Sequence, residues 1–330
     1  MIVLAGDIGG THARLALMDV GPRTLAILRR QDYPSHDYPG LAPIVRQFLE
    51  ADGPRPERAC LGIAGPVIDQ RARTPNLPWT IDATDLAQDS GIGDTRLIND
   101  FAAVGHSVER LGPGDVITLQ QGLARKHGAI ALIGAGTGLG EGFLVWDGAQ
   151  YRVHGSEGGH VAFAAANEIE WGLERYLRKD HDNVSYERVL SGAGIATIYR
   201  YFVAAGIAPE QPAVRAEMKR EDPAAVVTRR ALDNSDALCG QALDLFITVY
   251  GRHAGHLALT VLAGGGVYVA GGIAPRIVPR LAAGGFIAAF RAQGRLSDFV
   301  QAVPVHVIVN PDAGLVGSAA AAYAGADAAD

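Results

Sequence analysis

The chain has 330 residues, 48% of them hydrophobic, which is enough to bury a substantial core in two domains or one large one. A formal charge of -6 and a pI near 5.9 supply no basic field, so nucleic acid and anionic membrane surfaces are excluded as main partners and a small ligand fits better. The two cysteines, Cys60 and Cys239, have no paired spacing, which excludes a zinc knuckle and allows at most one disulfide; two reduced core thiols are expected. No run approaches the roughly 20 apolar residues that span a bilayer, and the N-terminus lacks a basic segment leading into a long apolar stretch. The expected location is the cytoplasm.

The first element is a strand, "MIVLA", that runs into "GDIGGTHARLAL" (residues 6–17), where adjacent glycines let the backbone approach something closely. A second apolar strand, Arg14 to Val20, follows, so this is a hairpin with a glycine-rich tip. It is not the dinucleotide fingerprint, which needs a helix after the glycines, nor a P-loop, which needs Gly-Lys-Ser/Thr. "ACLGIAGPVID" reads as a strand closed by Gly-Pro, and "TRLINDFAAVGHSV" as a strand passing directly into a helix. "GAIALIGAGTGLGEGFLVW" (residues 128–146) repeats the opening plan of strand, glycine tip and strand. Two such hairpins suggest two halves facing a shared cleft, each aiming backbone N–H groups at one polyanion.

Helical spacing dominates afterwards, over residues 168–180 and 185–205. "ALCGQALDLFITVYGRHAGHLALTVL" forms one long buried helix or two broken at glycine. "GGVYVAGGIAP" supplies a further strand, and Asp312 is the expected N-cap of a final Ala-rich helix.

Several polar residues suit ligand chemistry. Asn99 and Asp100 stand where a strand gives way to a helix, the sheet edge at which α/β proteins bind ligands; both types also cap helices. A carboxylate there, opposite a nucleotide, suits removal of a proton from an attacking hydroxyl. Glu157 and His160 flank two glycines in "GSEGGHVAF", so both side chains can converge from a loop. Without a third ligand nearby they suit polar recognition better than a transition metal. Glu187 stands near the expected start of a helix, where the dipole alone accounts for an acid. Together these groups match the donors and acceptors of a polyhydroxylated ligand such as a sugar. Asp7, beside the first glycine hairpin, would be repelled by phosphates unless a cation such as Mg2+ intervened; alternatively it caps the turn.

These motifs, taken in order, resemble those of the bacterial glucokinases of proteobacteria and cyanobacteria, within the actin and hexokinase superfamily of ATPases. The resemblance is carried by "GDIGGTHARLAL", "LIND", "GAGTGLG", "GSEGGH" (in place of the commoner "GEGGH"), "ERVLSGAG" and "VAGGIAPR", from about residue 2 to about residue 320. It implies an α/β fold of two ribonuclease H-like domains with a cleft between them. The small domain would be residues 1–110 plus 301–330, and the large one 111–300. The resemblance further implies ATP-dependent phosphorylation of the 6-hydroxyl of glucose, the first step of glycolysis, with Asp100 as general base. Asn99, Asp100, Glu157, His160 and Glu187 would bind glucose, with Asn76 as a weaker addition. Gly6, Asp7, Ile8, Gly9, Gly10 and Thr11 would embrace ATP from one side, and Gly134, Gly136, Thr137 and Gly138 from the other. Gly271 and Gly272 would line the adenosine, Asp7 would hold Mg2+, and a homodimer is expected. The zinc-loop sugar kinases related to repressors are set aside, because the cysteines for that loop are missing. Mannose or glucosamine as the sugar, another phosphate donor, and a sugar-sensing regulator without catalysis remain alternatives at this stage.

Overall fold

The computed structural model describes residues 1–74 and 77–325. In chain order the first elements are β1 (Ile2–Ile8), β2 (His12–Val20), β3 (Leu25–Pro34), α1 (Leu41–Glu50), β4 (Arg58–Ile63), β5 (Val67–Ile68), β6 (Arg71–Arg73), β7 (Thr80–Asp82), α2 (Ala83–Ser90), β8 (Asp94–Asn99) and α3 (Asp100–Ser107). Next come β9 (Val116–Gln120), β10 (Ile130–Ala135), β11 (Leu139–Trp146), β12 (Tyr151–Ser156), α4 (Glu168–Leu177), α5 (Gly192–Ala204), α6 (Pro212–Glu217), α7 (Pro223–Leu232) and α8 (Ala237–Thr260). The chain ends with β13 (Gly266–Ala270), α9 (Val278–Ala282), α10 (Gly285–Arg291), α11 (Ser297–Ala302), β14 (Val305–Ile308) and α12 (Ala313–Ala324). Two compact units result. The smaller comprises Met1–Asp115, Tyr151–Gly155 and Asn310–Asp330, and the larger Val116–Gln150 and Ser156–Val309. Strands β9 and β14 fall in the larger unit.

In the small unit the sheet runs β3-β2-β1-β4-β8, with β1, β4 and β8 parallel and β2 and β3 antiparallel. Strand β1 is apolar on both faces because both are covered. Leu4 and Ile8 join Ile44 and Phe48 of α1 in one core, while Val3 and Ala5 join Leu315 and Ala319 of α12 in another. The Ala-Gly composition of α12 follows from close packing: a Cβ on Gly317 would strike the carbonyl of Ala103 in α3.

In the large unit the strand order is β11-β10-β13-β14-β9, with β10, β13 and β14 parallel and β11 and β9 antiparallel to their neighbours. Every residue of β10 is buried. Helix α8 packs in the core of this unit, and its Tyr250 hydroxyl accepts from the Ala135 amide at 3.0 Å. The glycines of α8 do not break it, since Gly251 is needed where the α10 backbone at Phe286 passes closest. The sequence left one helix or two open; there is one.

Two expectations change. Residues 185–191 are not helical: Tyr186–Arg188 make a single 3-10 turn, and α5 begins only after Ser191, whose hydroxyl accepts from the Gly194 amide. Asp312 precedes α12 without capping it, because its carboxylate is drawn 2.6 Å from the Arg30 guanidinium.

Candidate active site

On the small unit, Asn99 and Asp100 sit at the junction of β8 and α3. Asn99 is the cap: its Oδ1 accepts from the amides of Phe101 at 2.9 Å and Ala102 at 3.2 Å, and its Nδ2 donates to the Gly65 carbonyl. Asp100 therefore spends one oxygen on the Phe101 amide and has no other capping duty. Burial, and then the negative charge of Asp7, push the Asp100 carboxyl up to about 6.

Asp7 closes β1 directly opposite Arg14 on β2, with which it makes an ion pair of 3.3 Å. Burial raises its pKa, Arg14 opposes this, and Asp312 and Asp32 add to the rise. The first glycine tip is pinned by Ser35, whose hydroxyl donates to the Gly9 carbonyl at 2.9 Å and whose amide donates to the Thr11 carbonyl. Gly9, Gly10 and Thr11 reach the surface, whereas Gly6 and Ile8 are buried in the sheet. Gly6 lacks a side chain for a packing reason, since a Cβ there would strike Leu61.

On the large unit, the second glycine tip opens onto a cavity of about 960 Å³. Gly136, Thr137 and Gly272 line it, with Gly192 at the start of α5. The Gly136 amide donates to the Gly138 carbonyl, the Gly136 carbonyl accepts from Gly192, and the Ala135 carbonyl accepts from Ile273. Gly271 holds a φ of +80°, and a Cβ there would strike the Ala135 backbone. Gly134 lies just inside β10, paired with Gly140.

The far wall of this cavity, where α7 brings Thr228 and Arg229 and the turn after β13 brings Arg276, is built of residues not expected from the sequence. Arg276 belongs to the quoted "VAGGIAPR", so a signal for it existed; nothing local marks Thr228 or Arg229. Arg229 is held by Glu217 and Glu221.

Glu157, His160 and Glu187 come together in the large unit, with His160 Nε2 3.7 Å from Glu157 and its Nδ1 4.0 Å from Glu187. Glu187 lies in the 3-10 turn ahead of α5, outside that helix's first turn. Its Oε2 instead accepts from the Leu139 amide at 3.0 Å, tying it to the second hairpin beside Gly138. Asn76 lies outside the described residues. Among the described residues no group of three or more His, Cys, Asp or Glu converges as a metal site, and no helix is long and apolar enough to cross a membrane. Both cysteines are free and buried.

The structure is similar to the crystal structure of a glucokinase from an Antarctic psychrotroph, with a TM-score of 0.87 and 32% identity over 98% of this chain and 99% of that one. It also shares its fold with a ROK family glucokinase from Streptomyces griseus, solved with glucose and AMPPNP, at a TM-score of 0.66 and 21% identity over 98% and 100% of the two chains. Fold and site thus define a sugar kinase of the actin-like ATPase class. The glucokinase family profile matches residues 4–325, and a glucokinase of Trichormus variabilis is 44% identical over 335 residues, covering 96% of this chain and 98% of the relative. The chain belongs to the glucokinase family; it is an enzyme, an ATP-dependent kinase of glucose.

Proposed function

We propose that the enzyme transfers the γ-phosphoryl group of ATP to the 6-hydroxyl of glucose, with Asp100 as the general base. The observation that carries this reading is the Asp100 carboxylate itself: it stands at a parallel strand end, freed from capping by Asn99, with an affinity for protons raised toward neutrality. Ionised Asp100 takes the hydroxyl proton as O6 bonds to the γ-phosphorus, and the bond from that phosphorus to the bridging oxygen breaks to release ADP.

Asn99, Glu157, His160 and Glu187 hold the remaining hydroxyls. Charge and hydrogen-bond character support this role, since carboxylates accept, the amide does both, and glucose presents hydroxyls of both kinds. The Gly9 and Gly136 amides close their own turns, which leaves the tips at Gly10–Thr11 and Thr137–Gly138 to turn backbone N–H groups to the phosphates, and the cavity beside Gly272 has room for the adenosine. Asp7 would hold Mg2+. Asp7, Asp312, Asp32 and Asp100 together outnumber the guanidinium groups of Arg14 and Arg30 beside them, and the remaining negative charge suits a hard divalent ion that keeps most of its waters and takes one protein carboxylate plus phosphate oxygens. When bound, the ion neutralises charge on the transferring phosphoryl group.

The two compact units correspond in this reading to the small and large domains of the family. A homodimeric, cytoplasmic enzyme follows from the family resemblance, and sedimentation tests the dimer. A coupled assay of ADP release across glucose, mannose and glucosamine, with ATP and alternative nucleotides, tests the activity. Glucose 6-phosphate as the product with ATP is expected. ADP release independent of added sugar would refute the reading.

A further inference from the structure

Beneath the Glu157–His160 turn lies a buried polar pair that the proposed reaction does not use. Glu141 on β11 and His253 on α8 approach to 2.5 Å, Oε1 to Nε2, with side chains 3% and 6% exposed. His253 Nδ1 is buried and has no hydrogen-bond partner among the described residues. Such a pair is costly to bury, and an apolar pair of the same volume would serve packing equally well, so its presence calls for a role beyond stability.

The surrounding contacts close into a circuit. The Glu141 carboxylate supports the turn from below: a Cβ on Gly158 would fall 2.9 Å from its Cδ and still closer to Oε2. Gly159 rests on Leu139, two residues before Glu141 on β11, and a Cβ there would lie 3.2 Å from the Leu139 carbonyl carbon. The Leu139 amide in turn holds Glu187. On the other side, the His253 ring stacks on Tyr186 at 3.6 Å between centroids and 15° between planes, and Tyr186 immediately precedes Glu187. The Tyr186 amide returns to the Val161 carbonyl just past the turn. The start of β11 and the His253 ring thus brace the two segments that carry Glu157, His160 and Glu187.

We propose that Glu141 and His253 are positioning residues that hold the Glu157–His160 turn and Glu187 in register for the sugar. This rests on the assignment of those three residues to glucose. Neither member of the pair touches the substrate; both act through the groups that do. Loosening the brace weakens glucose binding and blurs the choice between glucose and its epimers, and it leaves the nucleotide alone.

The test compares wild type with Glu141→Ala, Glu141→Gln and Glu187→Gln for kcat, the KM of glucose, the KM of ATP and the ratio of kcat/KM between glucose and mannose. Glu141→Ala is expected to raise the glucose KM about tenfold and narrow the glucose-to-mannose ratio, with the KM of ATP held within about twofold. Glu141→Gln, which keeps the shape and an acceptor for His253, is expected to restore most of both. If Glu141→Ala does not fold, His253→Phe in the Glu141→Gln background keeps the ring on Tyr186, breaks the link and is expected to show the same rise. A wild-type glucose KM and ratio in the brace variants, with Glu187→Gln impaired, would overturn the brace alone. Wild-type glucose kinetics in Glu187→Gln would overturn the sugar assignment and the brace with it.

Discussion

Asn99 caps the helix that Asp100 begins: the Asn99 Oδ1 takes the amides of Phe101 and Ala102, while the Asp100 carboxylate accepts from the Phe101 amide. This division of labour leaves the Asp100 carboxylate at a helix N-terminus with one bond to the Phe101 amide and the capping done by Asn99. The favourable dipole does not prevail there, because burial and the neighbouring Asp7 raise the Asp100 pKa to about 6.

A raised carboxyl pKa makes ionised Asp100 a cost to folding. The favourable contribution of its protonated form is complete below the ordinary 3.8 and is lost as the pH rises through about 6. Asp100→Asn is therefore expected to stabilise the enzyme by about 1–2 kcal/mol at pH 8, allowing for partial solvent screening, with the gain vanishing near pH 4. Urea unfolding of both proteins at the two pH values measures this, and an Asn variant less stable at pH 8 would count against the burial of an ionised carboxylate.

With Asp100 as the proposed base, its ionisation would set the acid limb of activity. As the base must be ionised, kcat/KM for glucose is expected to fall about tenfold per pH unit below pH 6 and to be flat just above it. A limb centred near pH 4 would mean that the free enzyme holds Asp100 in an ordinary solvated state.

Ser35 links a buried hydroxyl to the tip of the first hairpin through the Gly9 carbonyl. Ser35→Ala leaves that carbonyl unpaired and the tip less fixed, so the KM of ATP is expected to rise about five- to tenfold, with the glucose KM little changed. Steady-state kinetics with each substrate varied in turn separates the two.

Gly138 stands against Glu187, and the Cβ of Gly138→Ala would clash with the Glu187 Oε2 and push the carboxylate aside. Displacing it breaks the bond to the Leu139 amide, so glucose affinity is expected to drop by about tenfold. Isothermal titration with glucose reads this directly, and an unchanged affinity would show that Glu187 does not hold the sugar.

The parts of this structure legible in the sequence are those built from local periodicity. The two glycine hairpins, the β8 to α3 junction and the long α8 all follow from apolar spacing and turn chemistry within some 25 residues. Residues 185–191 misled because their helical spacing arises in a 3-10 turn that packs Tyr186 on His253, a contact between distant segments. Asp312 misled for a similar reason, since Arg30, far away in sequence, outcompetes the helix amides for its carboxylate. In the site, Asp100, Glu157, His160 and Glu187 stand out as polar groups at strand ends and loops. The α7 wall of the cavity and the Glu141–His253 brace did not, because a Thr-Arg pair on a helix or an acid within a strand carries no local mark of what it faces.

The role of Asp100 is decided by the turnover of Asp100→Asn beside wild type, in an assay coupling ADP and glucose 6-phosphate formation at saturating glucose, ATP and Mg2+. A folded variant that still binds glucose and loses at least about a hundredfold in kcat is expected. A folded variant that keeps most of its turnover would rule Asp100 out as the base.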